Sequence, residues 1–259
     1  MSDSALETRL AAFLASRMPE AGRVTVSDCV PLQGGYSRQM TRFTAHVDGR
    51  PRALVLRADA PDSAAPIETD RAAEWALLDA LTRAGGTPMP DALYADTDGH
   101  ELGSKAIVLD YLPGGGFLSL VRGCGENEQR LAEHADALCR LAADIQAVDT
   151  SVVPAQIERP TDWHSYLDEL IEAWRRTEAE LSESIPMLRY VAAWLERNRP
   201  PEAPLRLVHG EFQPGNIMLG ADGRLAAVDW EFAHIGDPRE DLGWATWVEA
   251  IQPPALIGR

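Results

Sequence analysis

Leu207–Leu219 reads LVHGEFQPGNIML, and LAAVDWE follows within a few residues. Short apolar segments flank a loop bearing Gly and Pro, so LRLV, NIML and LAAVDW read as brief strands. Asp222-Gly223-Arg224 turns the last pair. Strands this short cannot stand alone; their value lies in presenting the loops between them. Glu211 and Asn216 lie five positions apart on the first loop, and Asp229 stands thirteen positions beyond Asn216. A carboxylate, a carboxamide oxygen and a second carboxylate are hard ligands of the kind Mg²⁺ accepts. Phosphoryl transfer needs such a set, because the protein contributes mainly positioning and electrostatic help. Taken singly, each residue is an ordinary polar turn residue; the spacing of the set carries the argument.

Upstream, the order of elements narrows the architecture. Ser4 and Glu7 match a capping box before Leu6, Leu10, Phe13, Leu14 and Met18, which predicts an opening helix. RVTVSDCVPL, MTRFTAHV and RALVLRA have strand character, with a hairpin turn at Asp48-Gly49. IETDRAAEWALLDALTRAG predicts a helix that ends at Gly85-Gly86. Strands are expected near 92–96 and in SKAIVLDYL, and then PGGG marks a boundary. Helical periodicity returns over about 126–148, 162–182 and 186–198. A β-rich first portion and a mostly helical second one make an α+β, two-lobed layout, divided as 1–112 and 113–259.

The H-G-E-x-x-x-x-N loop with its D-W-E segment resembles the aminoglycoside phosphotransferase and choline-kinase group, which shares the protein-kinase-like fold. GDPREDLGW, LQGGYSRQ, ALVLRA, the helix with Glu74, and AIVLDYLPGG continue the resemblance in order. It implies a small-molecule phosphotransferase moving the γ-phosphate of ATP or GTP to a substrate hydroxyl with Mg²⁺. By position, Glu211 and His209 are the catalytic candidates, with His209 expected to fix the loop. Asn216 and Asp229 are the metal candidates, and Asp241 would receive backbone N–H groups beneath the loop. Ser37, Arg57, Glu74, Asp110 and Leu112 fall at the nucleotide positions. The family has an aspartate where Glu211 stands. The extra methylene fits a working enzyme with a rearranged loop, an impaired one, or an engineered Asp→Glu change. A catalytically weak nucleotide-binding module that regulates a partner is therefore the alternative function.

Composition excludes other classes. Forty acids against 24 bases give a formal charge of −16, which opposes general nucleic-acid binding because phosphate backbones need clustered cations. Lys105 is the only lysine, so any phosphate-binding cation is an Arg. Cys29, Cys124 and Cys139 follow no metal or disulfide pattern. No apolar run approaches the roughly 20 residues that span a bilayer, and MSDSALETRL has no signal-peptide pattern; a cytoplasmic location without membrane contact is expected. No G-x-S-x-G elbow supports a hydrolase. The acid-rich helix 162–183, with Trp163, Tyr166 and Trp174, lies where the resemblance puts the acceptor cleft, and it could attract an amine or serve only as a solvated or packed face. The chain also ends soon after the D-L-x segment, where the family continues with helices that wall the acceptor pocket. The second lobe is therefore expected to be shortened, with Trp244, Trp247 and Val248 partly uncovered and a homodimer or marginal stability as the consequence.

Overall fold

A computed structural model describes residues 3–32, 38–59, 70–181 and 185–251. Helix α1 (Asp3–Arg17) precedes three antiparallel strands, β1 (Val24–Pro31), β2 (Arg38–Val47) and β3 (Arg50–Asp59). The β2–β3 hairpin turns at Asp48 and Gly49, with φ of 51° and 79°, the left-handed pair that a two-residue turn requires. Helix α2 (Arg71–Ala84) follows, and Asp70 caps it by accepting from Ala72 N and Ala73 N. Strands β4 (Ala92–Asp96) and β5 (Ala106–Asp110) complete an antiparallel sheet of order β1-β2-β3-β5-β4. One expectation fails locally. Ser4 does not cap α1, because Asp3 is already helical and Ser4 O accepts from Thr8 Oγ1 at 2.9 Å inside the helix.

The second lobe contains α3 (Phe117–Arg122), α4 (Glu128–Gln146), α5 (Trp163–Glu180) and α6 (Pro186–Arg197). Short strands β6 (Arg206–Val208), β7 (Ile217–Leu219), β8 (Leu225–Ala227) and β9 (His234–Gly236) precede α7 (Arg239–Ile251). β6 pairs with β9 and β7 with β8, giving two small antiparallel sheets. The α3 and β9 segments had no periodicity to announce them, since each is too short. The connector packs tightly against β7. Gly114 N donates to Leu219 O at 3.1 Å and Leu219 N to Gly115 O at 2.9 Å. A Cβ on Gly114 would lie 2.4 Å from Leu219 O.

Two apolar clusters hold these layers, and strand alternation decides which residue enters which. Val108 joins Leu10, Phe13, Leu14, Phe43, Leu54 and Leu56 under α1. Its neighbours Ile107 and Leu109 face the other way, meeting Leu77, Leu78 and Leu81 of α2. That second cluster runs on through Phe117, Ile145, Phe212, Ile217 and Trp230. It therefore reaches from the sheet into the loops of the second lobe. Each such side chain contributes about 1.5–3 kcal/mol when buried, so the core itself fixes the spacing of the lobes around the site.

Candidate active site

The loop after β6 is anchored from below. Asp241, buried at the start of α7, accepts from His209 N at 2.9 Å and from Gly210 N at 3.0 Å. Gly210 has φ +85°, and a Cβ there would sit 2.3 Å from Phe232 O. Only glycine suits both demands. His209 is fully buried. Its Nδ1 accepts from Glu211 N at 3.3 Å, which leaves Nε2–H to donate to Val228 O at 3.0 Å. Burial pushes its pKa down to about 4. Although His209 stood with Glu211 as a catalytic candidate, the ring is neutral and both nitrogens are occupied. It ties the loop to the β8 end, with its one ring proton held on Nε2 against Val228 O.

Glu211 and Asn216 meet across the same loop. Asn216 Nδ2 donates to Glu211 O at 3.1 Å and to Glu211 Oε2 at 3.2 Å. The β7–β8 ladder then brings in Asp229. Ile217 pairs with Ala227, and Val228 N donates to Asn216 O at 2.9 Å. The next residue, Asp229, has φ 69°, a left-handed backbone that Asp tolerates better than most residues. Burial and the Asp229 charge push the Glu211 pKa up. Burial also raises that of Asp229, against the pull of Arg57.

From the sheet, Arg57 on β3 reaches the same place. Its guanidinium is ion-paired with Glu74 of α2 and with Asp229, and Nη2 lies 3.3 Å from Glu231 Oε2. Arg57 and Glu74 are each 4% exposed, so neither is a solvated surface charge. Sequence reasoning missed the rest of this network. Arg71 pairs with Glu74 and, at 2.6 Å, with Asp59; Arg38 pairs with Glu231 at 2.7 Å. The available signals were Arg71 at the first turn of α2, Arg38 directly after GGYS, and the final acid of D-W-E.

The charge balance of the cluster decides what it can hold. Arg38, Arg57 and Arg71 face Asp59, Glu74, Asp229 and Glu231, with Glu211 alongside. Three cations against five carboxylates leave two negative charges when all are ionised. That excess and the oxygen donors of Asn216 and Asp229 would favour a hard divalent cation, although among the described residues no three His, Cys, Asp or Glu side chains are grouped to hold a metal ion.

The other nucleotide candidates fare differently. Asp110 N donates to Asp91 O and Tyr111 N to Ala53 O, and the Asp110 carboxylate grips Arg52 at 2.7 Å. Leu112 N makes no backbone hydrogen bond among the described residues. A cavity of about 460 Å³ opens against Asp110–Pro113, Met89 and Ala226, and none of the acid-cluster residues lines it. Ser37 lies outside the described residues, as do the side chains of Trp247 and Val248. Trp163 is buried and donates from Nε1 to Asp237 at 3.0 Å, while Tyr166 is buried near His234. Both are therefore packed into the fold, whereas Trp174 is 41% exposed.

Residues 28–259 match the family model APH, the phosphotransferase enzyme family. The chain belongs to this family. Solved APH-like structures share its protein-kinase-like fold. Macrolide 2'-phosphotransferase MphH from Brachybacterium faecium superposes with a TM-score of 0.60 at 19% identity, over 96% of this chain and 80% of that one. A thermostable mutant of aminoglycoside phosphotransferase APH(4)-Ia, in ternary complex with ADP and hygromycin B, gives 0.59 at 19% identity, over 93% and 77%. At such identities the likeness concerns the fold. Among curated proteins, acyl-CoA dehydrogenase family member 10 of Mus musculus is 26% identical over 75% of this chain, and member 11 of Gallus gallus is 26% identical over 82%. This phosphotransferase chain spans only 18% and 27% of their lengths.

Proposed function

We propose that this APH-family chain moves the γ-phosphate of ATP or GTP to the hydroxyl of a small molecule with Mg²⁺. The carrying observation is the convergence of Glu211 and Asn216 from one loop with Asp229 from the next, facing the Arg57–Glu74 pair from the sheet. Glu211 orients the acceptor hydroxyl and takes its proton. Its longer side chain is steadied by Asn216 Nδ2, so the missing aspartate is compensated within the loop itself. Asn216 Oδ1 and Asp229 would hold the cation, which when bound would offset charge on the phosphates. Arg57 exchanges its contact with Asp229 for the α- and β-phosphates, a fork-shaped contact that guanidinium suits. Leu112 N is left to meet the base edge.

The solved relatives in complex with ADP and hygromycin B, or with GDP and kanamycin, support a nucleoside triphosphate and an amine-bearing alcohol as substrates. The formal charge of −16 agrees with a cationic acceptor. Among the described residues no helix is long and apolar enough to cross a membrane. A cytoplasmic enzyme completes the proposal. A second reading, a catalytically weak nucleotide-binding module, draws on Arg57 seated on Asp229 and on Glu211 itself. The deciding measurement is melting temperature with Mg·ATP or Mg·GTP, followed by nucleoside diphosphate release across alcohols and aminoglycosides. Turnover lost in Asp229→Ala supports the enzyme, and a shift without any turnover supports the module. No shift with either nucleotide at millimolar concentration rejects both.

A further inference from the structure

We infer that Arg38 and Glu231 form a clasp between the lobes that positions the phosphate side of the cleft. The inference rests on the nucleotide reading of the site. Arg38 is the first residue of β2, at the root of the glycine-bearing segment that joins β1 to it. Its Nε and Nη2 both donate to Glu231 Oε2, at 3.2 and 2.7 Å. The two side chains are 7% and 6% exposed. Glu231 stands two residues beyond Asp229, and the same Oε2 lies 3.3 Å from Arg57 Nη2. One oxygen thus joins the β2 root, the β3 cation and the Asp229 segment.

The Arg57–Asp229 pair also crosses between the lobes, but a nucleotide draws Arg57 toward its phosphates. The Arg38–Glu231 pair does not involve Arg57's contact with Asp229 and is a crossing that outlasts this exchange. Glu231 further shares the charge of Arg57, so without it Arg57 settles more firmly on Asp229 and resists transfer. Replacing a buried ion pair with apolar groups is often neutral for stability. The pair's effect therefore belongs in nucleotide affinity. Both residues are positioning residues.

The test compares the wild type with Arg38→Gln, Glu231→Gln, the double variant and Arg38→Lys. It measures Kd for Mg·ATP and Mg·GTP by tryptophan fluorescence, KM and kcat, and melting temperature without nucleotide. Each single glutamine variant is expected to raise Kd and KM about tenfold while kcat changes much less, and the double variant to do no more than the worse single, as for coupled partners. Arg38→Lys falls between, since it keeps the charge and loses the fork. Melting temperatures that drop while Kd stays at the wild-type value overturn the clasp, and so do fully additive losses. If a single variant fails to fold, Arg38→Met with Glu231→Gln buries no lone charge and carries the same Kd comparison. A wild-type chain that binds neither nucleotide overturns the reading of the site as well, an outcome distinct from unaffected variants of a binding wild type.

Discussion

Asn216 reaches back along its own loop to Glu211, donating from Nδ2 to the carbonyl at 3.1 Å and to the carboxylate at 3.2 Å. The metal candidate and the base candidate are thereby held by one side chain. Glu211→Gln is expected to lower kcat by about 100-fold or more, the usual worth of a positioned base. Glu211→Asp, which retracts the carboxylate from Asn216, should also lose activity, by up to about 100-fold. Steady-state assays on folded variants check both. An aspartate variant faster than the wild type would show that Glu211 is not fitted to this loop.

Arg57 stands between three carboxylates with almost no solvent access. Removing it leaves Glu74 to Arg71 alone and Asp229 without its partner. Arg57→Met should cost on the order of 3 kcal/mol, as expected when one member of a buried ion network is lost. Urea unfolding measures that cost. The nucleotide-induced rise in melting temperature should vanish in the same variant.

Gly210 tests the loop backbone. An added Cβ meets Phe232 O at 2.3 Å and forces φ +85° on an L-residue. Gly210→Ala should destabilise by at least about 2 kcal/mol, and any protein that remains folded should have lost turnover through a displaced Glu211. A melting curve matching that of the wild type would contradict the geometry.

A fully buried histidine and a half-buried glutamate give opposite pH signatures. His209 has a pKa of about 4 against an ordinary 6.5. Its neutral burial adds stability that is full above pH 6.5 and lost as pH falls toward 4, on the order of 3 kcal/mol in all. Ring NMR shifts of His209 should stay flat between pH 8 and 5. Glu240 is the reverse case, its carboxyl raised to about 7 by burial and then by Asp241, with His234 3.3 Å away. Its folded pKa lies above the ordinary 4.5, so stability present at low pH declines between about 4.5 and 7. Glu240→Gln should therefore gain melting temperature on the wild type at pH 8, with the gain shrinking toward pH 5. A constant difference would refute the assignment.

Much of the candidate site's arrangement was legible because its residues are close in sequence and tied by turn chemistry. Glu211 and Asn216 share one loop, and the β7–β8 hairpin delivers Asp229. The Arg57–Glu74 pairing came from the family resemblance, and its burial was open until the fold was known. Ser4 misled because a capping pattern is local, and nothing local said that Asp3 already belonged to the helix. The aromatic residues of α5 were equally ambiguous, since periodicity does not say which stripe meets a neighbour.

The chain by itself determined the order of the longer strands and helices up to Arg197, the β7–β8 hairpin that leads into D-W-E, and the placing of Glu211 and Asn216 on one loop, all local features of sequence. Tertiary structure alone decided that Arg38, Arg71, Asp59 and Glu231 join the cluster, and that His209 is sealed and neutral. Those facts depend on which side chains lose water together when the sheet and the second lobe close on one apolar core. Burial is a property of the packed whole, and with it come both the strength of the ion pairs and the shifts of the buried acids and histidine.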